Sequence, residues 1–222
     1  CPLLFVEIGA EEGILETKMK IGSLNVVRQL VCMCIEKRKP GRIGNKKERT
    51  QMEQKAWIRK RSDVTAENQT GMKHSANRGI EIREKNGVTY LAFPALDATG
   101  LVSHAFSTRH GGVSEGVFST MNFSFTRNDD PEHVLENYRR MAAVLGIDVE
   151  KMVLSYQTHT TNVRKVTEED AGKGIVKERK YQDVDGLITN IPGITLVTFY
   201  ADCVPLYFVD PVHKAIGLSH SG

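Results

Sequence analysis

Apolar residues concentrate in three short runs at the end of the chain. Thr195–Tyr200 and residues 204–209 are rich in β-branched and aromatic side chains, and residues 215–219 are apolar again. Such side chains favour β-strands, and the polar residues between the runs favour turns. The pattern predicts three consecutive strands, with Cys203 at the joint between the first two and His220 at the end of the third.

Three further strands are predicted in the middle of the chain. Within residues 79–93, apolar and polar positions alternate on both sides of Asn86-Gly87. An Asn-Gly pair between alternating runs is a strong hairpin signal, because both residues readily adopt positive φ. Residues 101–108 form another short apolar run, which predicts a separate strand.

One long amphipathic helix is predicted over residues 130–146. Asp130 can cap its first turn, Pro131 suits the first helical position and Gly146 supplies the C-terminal stop. Apolar side chains recur every three or four positions along it, at Val134, Leu135, Tyr138, Met141, Ala142 and Leu145. This stripe predicts a helix that covers one face of a sheet.

These elements predict a mixed α/β (α+β) domain over residues 78–222, in which a largely antiparallel or mixed sheet is covered by helices. A chain of 222 residues permits one large domain, or one domain with an extension.

No run of about 18 apolar residues occurs, so the sequence predicts no membrane span and no membrane partner. Cys203 is the only cysteine after residue 71. This argues against a disulfide framework and, because no signal-peptide pattern is visible, predicts a cytoplasmic location.

Residues 1–71 are predicted to form a separate, poorly ordered basic extension. They carry a net charge of +5, whereas residues 72–222 carry −2, and residues 37–61 hold 11 Lys and Arg against two Glu. The basic run fits an arm that binds nucleic acid, a solvated tail that buries too little apolar surface to fold, or a segment that is not native, with Met72 as the start of the protein. An apolar patch at residues 24–35 predicts a short helix or strand.

A thiol and two imidazoles are candidate metal ligands. His159 follows another apolar run, Met152–Leu154, and joins Cys203 and His220 as a side chain placed near a strand end. One thiolate and two imidazoles leave a coordination position open, as in catalytic zinc sites. The spacings of 44 and 17 residues match no local zinc motif, however. A buried apolar cysteine and two surface histidines are the alternative that the residues alone leave open.

Arg109 stands at the start of a glycine turn that follows the strand predicted at residues 101–108. Gly111 and Gly112 allow a tight turn or a close approach of the backbone to a ligand. Arg109 could place its planar guanidinium on a phosphate or carboxylate. The alternative is a simple turn with an exposed arginine. The segment is not a P-loop, because the spaced Gly-Lys-Ser/Thr pattern is missing.

Six motifs occur together in the second part of the chain. They are Ser107-Thr108-Arg109-x-Gly111-Gly112-Val113-Ser114, Glu136-Asn137, Gln157-x-His159, Asp183-x-Asp185-Gly186, Ala201-Asp202-Cys203-x-Pro205 and His220-Ser221-Gly222. In order and approximate spacing they resemble the laccase-domain family over about residues 78–222. That family is also described as multicopper polyphenol oxidase, peptidoglycan editing factor and purine nucleoside phosphorylase. Each motif alone is weak, but their joint occurrence is specific, whereas residues 1–71 have no counterpart.

The resemblance implies a metal triad formed by His159, Cys203 and His220. The implied metal is zinc, which suits mixed sulfur and nitrogen ligands, although copper has also been ascribed to the family. The implied activity is phosphorolysis of the purine nucleosides adenosine, inosine and methylthioadenosine, together with deamination of adenosine. Family sequences continue past the motif at His220, so the laccase-type domain is expected to be incomplete at its C-terminus.

Candidate roles follow for the polar residues near the triad. Arg109 is predicted to help hold the phosphate, and Asn122 and Gln157 are predicted to form hydrogen bonds with the substrate. Asp202 is one candidate general base, although it could equally fix the turn at Cys203. Which group accepts the proton is left open by the sequence.

Other functions compete with the phosphorylase. The same triad fits a hydrolase that edits peptidoglycan precursors, or a copper-dependent polyphenol oxidase. A third reading, from a different class, is a non-enzymatic module whose basic segment binds nucleic acid. Two observations argue against nucleic-acid binding. Trp57 is the only aromatic residue within residues 37–61, and neither a recognition helix nor zinc-finger spacing accompanies the basic residues.

Overall fold

The computed structural model describes residues 4–7, 29–35 and 79–222. Within these residues the strands are β1 (Leu4–Glu7), β2 (Gln29–Ile35), β3 (Glu81–Lys85), β4 (Val88–Ala92), β5 (Val102–Ser107), β6 (Met152–Leu154), β7 (Val163–Lys165), β8 (Gly186–Thr189), β9 (Thr195–Tyr200), β10 (Val204–Asp210) and β11 (Ala215–Ser221). The α-helices are α1 (Pro94–Asp97) and α2 (Pro131–Leu145), and short 3-10 turns lie at Gly116–Phe118, Val149–Lys151 and Glu168–Asp170.

The strands form two sheets. The six-stranded sheet has the order β3-β4-β5-β2-β9-β6, and the five-stranded sheet has the order β1-β10-β11-β8-β7. Pairing is antiparallel except between β6 and β9 and between β7 and β8, which are parallel. The predicted α+β class with mixed sheets is confirmed. The three C-terminal strands are also confirmed, but β9 lies in one sheet and β10 with β11 in the other.

Local sequence signals account for the hairpin and the helix. Asn86 and Gly87 have φ of 54° and 74° and join β3 to β4, as their positive-φ tolerance predicts. In α2, the Asp130 carboxylate accepts a hydrogen bond from Glu132 N, and Gly146 ends the helix with φ of 71°. Such a cap typically contributes about 1 kcal/mol to helix stability.

The core has two layers, one on each face of the six-stranded sheet. The first layer fills the space between the two sheets and includes Leu196 from β9 and Leu218 from β11. The second lies between the six-stranded sheet and α2, and includes Val197 and Tyr138. Neighbouring residues of β9 therefore serve opposite layers, because side chains alternate across a strand. This explains why β9 is almost continuously apolar.

Two segments from the N-terminal part of the chain belong to these sheets. β1 pairs with β10, and β2 lies between β5 and β9. The apolar patch predicted as a helix or strand at residues 24–35 thus contains a strand. The basic run at residues 37–61, with Trp57, lies outside the described residues. The boundary at residue 71 and the poor order of the extension stay predictions. In the part of the chain that the structure describes, no helix is long and apolar enough to cross a membrane.

Three strand ends at one edge of the six-stranded sheet set up the site. β5 and β9 are both antiparallel to β2, and β6 is parallel to β9. The carboxyl ends of β5, β6 and β9 therefore lie at the same edge. Arg109, His159 and Cys203 each follow one of these ends within a few residues. Strand ends of this kind commonly present functional side chains from loops on a rigid support.

Candidate metal centre

His159, Cys203 and His220 come together in the structure, as the sequence predicts. One ligand atom from each lies within 4.8 Å of the other two. His159 Nε2 is 3.7 Å from Cys203 Sγ, and the two imidazole rings meet edge to face with their centroids 4.7 Å apart. An open cavity of about 210 Å³ adjoins them and is lined by His159, Thr160, Thr161, His220, Ser221 and Gly222.

The distance between two of the three donors matches that expected for a shared zinc ion. Zn–S and Zn–N bonds of about 2.3 and 2.1 Å at a tetrahedral angle place the two donor atoms about 3.6 Å apart. The observed separation between Cys203 Sγ and His159 Nε2 is 3.7 Å. The described residues offer three ligands, and the adjoining cavity leaves room for a fourth. The donor set therefore suits zinc with one open position.

Cys203 occupies the crossover between the sheets. The chain leaves β9 at Tyr200 and enters β10 at Val204, so the thiol is presented from the short connection between them. Burial raises the pKa of the Cys203 thiol, and the Asp202 carboxylate, 3.7 Å from Sγ, raises it further. The connection thus presents the thiol beside His159, where it can serve as a metal ligand.

His220 lies inside a strand, not beyond its end. β11 extends two residues past the predicted limit, because Pro205 and Val204 of β10 pair with His220 and Ser221. The His220 side chain is 5% exposed, and its Nδ1 lies 2.7 Å from Asp185 Oδ1. A carboxylate only accepts, so Nδ1 carries the proton and Nε2 is left as the ligand atom.

His159 is held in an unusual backbone conformation. Its φ is +63°, in the left-handed region that bulky residues rarely adopt and that costs about 1–3 kcal/mol. The amide N–H groups of Thr158, His159 and Thr160 all donate to the Asp185 carboxylate, each at 3.0 Å. Three converging bonds to one buried anion offset the backbone strain and fix the loop that carries His159.

Asp185 is the residue whose importance the sequence did not reveal. In the sequence it stands in the motif Asp183-x-Asp185-Gly186, to which no role was given; in the structure its side chain is buried and accepts hydrogen bonds from both ligand segments. Burial alone would raise the pKa of Asp185, but the donors at Thr158, Thr160 and His220 hold it well below its ordinary value. The available signal was an aspartate directly before an apolar strand inside a family motif.

Arg109 is exposed at the end of β5. Its Nε and Nη2 donate to the Ser119 carbonyl at 3.2 and 2.7 Å. Among the described residues, no acidic side chain forms an ion pair with it. β2 alone separates β5 from β9, so the ends of those two strands are about 10 Å apart. The guanidinium is therefore anchored by Ser119, has no acidic partner among the described residues, and lies at the sheet edge where His159 and Cys203 follow β6 and β9.

A buried asparagine fixes the glycine loop after Arg109. Asn137 Oδ1 accepts from Val113 N at 2.9 Å, and its Nδ2 donates to Ser114 Oγ and the Asn122 carbonyl. At Gly112, a Cβ atom would lie 2.0 Å from the Thr120 carbonyl oxygen, so no larger residue fits there. Asn137 and the close approach at Gly112 therefore restrain the conformation of this loop.

The structure gives Asn122 and Gln157 partners within the protein. Asn122 is buried, donates to Asp129 Oδ2 and accepts from Ser124 N. Gln157 Nε2 donates to the Phe199 carbonyl at 2.7 Å, and Phe199 N donates to Gln157 Oε1 at 2.8 Å. This side chain thus continues the pairing of β6 with β9. Neither residue lines the cavity, and their contacts with a substrate stay predictions.

Comparison with known proteins supports the resemblance seen in the motifs. Residues 103–222 match the family model described as multi-copper polyphenol oxidoreductase laccase. The chain belongs to this family. It is 39% identical over 117 residues to a protein named purine nucleoside phosphorylase YlmD from Geobacillus stearothermophilus, covering 52% of this chain and 43% of that protein. It is 34% identical over 167 residues to mouse purine nucleoside phosphorylase LACC1, covering 69% of this chain and 36% of that one.

Solved structures of family members share the fold. The crystal structure of Bacillus licheniformis hypothetical protein YfiH superposes with a TM-score of 0.57 and 32% identity, over 64% of this chain and 52% of YfiH. The crystal structure of YlmD from Geobacillus stearothermophilus gives a TM-score of 0.56 and 35% identity. This family member spans about half the length, or less, of the curated relatives that it matches.

Proposed function

We propose that the chain carries the metal centre of a zinc-dependent purine nucleoside phosphorylase. The substrates are adenosine, inosine or methylthioadenosine with phosphate, and adenosine deamination is a second activity of the same centre. The observation that carries the proposal is the cluster of His159, Cys203 and His220 beside an open cavity. Relatives named purine nucleoside phosphorylase support the choice of reaction.

Zinc is favoured over copper by the donor set. Blue-copper sites use two histidines and a cysteine as well, but in trigonal geometry with a weak axial ligand, and a multi-copper array needs further histidines and cysteines. The metal-ligand cluster of the described residues comprises these three side chains. The chemistry that a bound zinc ion supplies here is Lewis-acid polarisation of a substrate oxygen or nitrogen.

Three residues near the metal centre have proposed roles in substrate binding, ligand orientation and proton transfer. The exposed guanidinium of Arg109 binds the phosphate; it forms no ion pair with an acidic side chain among the described residues, so its charge is available for an anion. Asp185 keeps the proton of His220 on Nδ1 and holds His159 in place. Asp202, whose Oδ1 lies 3.7 Å from Cys203 Sγ, is exposed and is the carboxylate candidate for moving a proton.

Phosphate-dependent release of adenine from adenosine tests the proposal. The zinc-loaded full chain is incubated with adenosine, with and without phosphate, and adenine, ribose 1-phosphate and inosine are separated by chromatography. Adenine is expected only with phosphate, and inosine under both conditions. Cys203→Ala should abolish both products, whereas His213→Ala, which alters an exposed turn histidine, should keep them.

The same experiment separates the competing functions. Release of an amino acid from a serine-containing muramyl nucleotide, with no adenine from adenosine, would support the peptidoglycan-editing hydrolase instead. Oxidation of a phenol that depends on added copper would support the polyphenol oxidase. A zinc-loaded protein that leaves adenosine unchanged in the presence of phosphate contradicts the proposed function.

A further inference from the structure

We infer that Asp185 is the positioning residue that assembles the metal centre, because one buried carboxylate orients both histidine ligands. The two histidines come from different parts of the fold: His159 from the loop after β6, and His220 from β11 in the other sheet. Asp185 lies directly before β8, between these segments. The inference rests on the metal centre of the proposed function and not on its nucleoside chemistry.

The two carboxylate oxygens of Asp185 accept hydrogen bonds from different groups. Oδ2 accepts from the amides of Thr158 and Thr160 at 3.0 Å and from Thr160 Oγ1 at 3.1 Å. Oδ1 accepts from His159 N at 3.0 Å and from His220 Nδ1 at 2.7 Å. Oδ2 thus shapes the loop, while Oδ1 joins the two ligand residues. Every one of these five donors faces a negatively charged acceptor.

The backbone of Asp185 reinforces the same arrangement. Its carbonyl accepts from His220 N at 2.8 Å, and its own N–H donates to the Asn162 carbonyl at 3.1 Å. Asp185 is therefore tied by main chain and side chain to β11 on one side and to the His159 loop on the other. Asp185 is only 1% exposed, so water does not compete for these hydrogen bonds.

The isosteric change Asp185→Asn separates this role from simple packing. The amide oxygen can replace only one carboxylate oxygen, and the NH₂ group must occupy the other position. At the Oδ1 position it faces His220 Nδ1, which then has to accept, so the proton moves to Nε2 and blocks the ligand atom. At the Oδ2 position it opposes the N–H groups of Thr158 and Thr160 and disrupts the loop. Either orientation damages the metal centre.

Asp170 provides a matched control for the loss of a buried carboxylate. It is also 1% exposed, and it accepts hydrogen bonds from Arg164 at 2.9 Å, Lys173 at 2.8 Å and the Thr167 amide at 2.9 Å. These partners belong to the segment around the 3-10 turn Glu168–Asp170 and include none of the three metal ligands. Asp170→Asn should therefore lower stability without altering the metal centre.

Zinc affinity is the first measurement, made on the full chain by competition with a chromophoric chelator. Asp185→Asn is expected to weaken zinc binding about 10- to 100-fold, the range typical for lost partners of metal-bound histidines. Asp170→Asn should bind zinc within about threefold of the wild type, since it leaves the ligands and their partners intact. Wild-type affinity in a folded Asp185→Asn variant overturns the inference.

The tautomer of His220 is the second measurement and needs no variant that might fail to fold. In the metal-free wild-type chain at alkaline pH, where a doubly protonated ring is avoided, long-range proton–nitrogen NMR should show the single His220 ring proton on Nδ1, and its signals can be assigned by their loss in His220→Gln. A proton on Nε2 overturns the inference even where Asp185→Asn does not fold. Both measurements are independent of catalysis, so an inactive protein with the expected affinity and tautomer would reject only the proposed function.

Discussion

His159 Nε2 lies 3.7 Å from Cys203 Sγ, although 44 positions separate the two residues in the chain. His159 follows β6 at the edge of the six-stranded sheet, and Cys203 lies where the chain crosses to the five-stranded sheet. Their contact therefore forms only when the loop after β6 and the crossover are both correctly placed. The metal centre depends on the joining of the two sheets.

Removal of the thiol should remove the metal. For Cys203→Ala, zinc measured by mass spectrometry should fall from about one equivalent to below about 0.1, because two imidazoles without the thiolate form a weak site. His213→Ala is the matched control, since His213 is exposed in the turn after β10 and pairs with Asp210. A full equivalent of zinc in Cys203→Ala would show that the site is assigned wrongly.

Loss of the Arg109 guanidinium should affect the two proposed activities unequally. Arg109→Ala is expected to lower kcat/KM for phosphorolysis about 10- to 100-fold, the effect of one charge-assisted hydrogen bond of about 1.5–3 kcal/mol. Deamination should change less than about threefold, because that reaction uses no phosphate. Arg127→Ala, an exposed arginine further along the same segment, controls for net charge. Equal losses in both reactions would exclude Arg109 from phosphate binding.

The buried amide of Asn137 should be important for stability. Asn137→Ala leaves the Val113 N–H and the Asn122 carbonyl without their partner, and should lower the free energy of unfolding by about 2–4 kcal/mol. Urea denaturation measures the change. Glu136→Ala, one position earlier, removes surface ion pairs with Arg139 and Arg140 and should cost less than about 0.5 kcal/mol. Similar losses in both variants would contradict the role given to Asn137.

His104 should make stability fall between pH 6.5 and 4. Burial lowers the pKa of His104 to about 4, and its Nε2 accepts a hydrogen bond from Phe93 N. Because the unfolded chain binds this proton near pH 6.5 and the folded chain does not, acid favours unfolding throughout that window. The expected slope is up to about 1.4 kcal/mol per pH unit. Below about 4 both states are protonated and this contribution is fully lost.

Urea unfolding at several pH values, with a chelator present, tests whether His104 causes this pH dependence of stability. His104→Gln should remove most of the slope between pH 6.5 and 4, even though it also lowers stability at neutral pH. His110→Gln, at an exposed position, should keep the slope. The buried carboxylate of Asp170, whose pKa is lowered to about 2, acts in a different window, because its contribution is lost only as the pH falls below about 4. An unchanged slope in His104→Gln would contradict this account.

The elements that the sequence determined are those with local causes. Asp130, Pro131 and Gly146 bound α2 where their capping chemistry predicts, and Asn86-Gly87 makes the hairpin between β3 and β4. Cap and turn preferences arise from atoms a few residues apart, so they can be recognised without a tertiary structure. The three metal ligands were also identifiable, but only because the family motifs joined residues that local spacing could not connect.

Only the tertiary structure shows which sheet each strand joins and which residues contact one another at the metal centre. Apolar strands such as β9 and β10 look alike in sequence, yet one is covered on both faces and the other belongs to a second sheet. Asp185 is one of two aspartates in a short motif of the sequence, and only the pairing of β8 with β11 buries it between His159 and His220. Its function comes from donors 25 to 35 positions away. Such long-range hydrogen bonds are created by strand order and register, which local side-chain preferences do not specify.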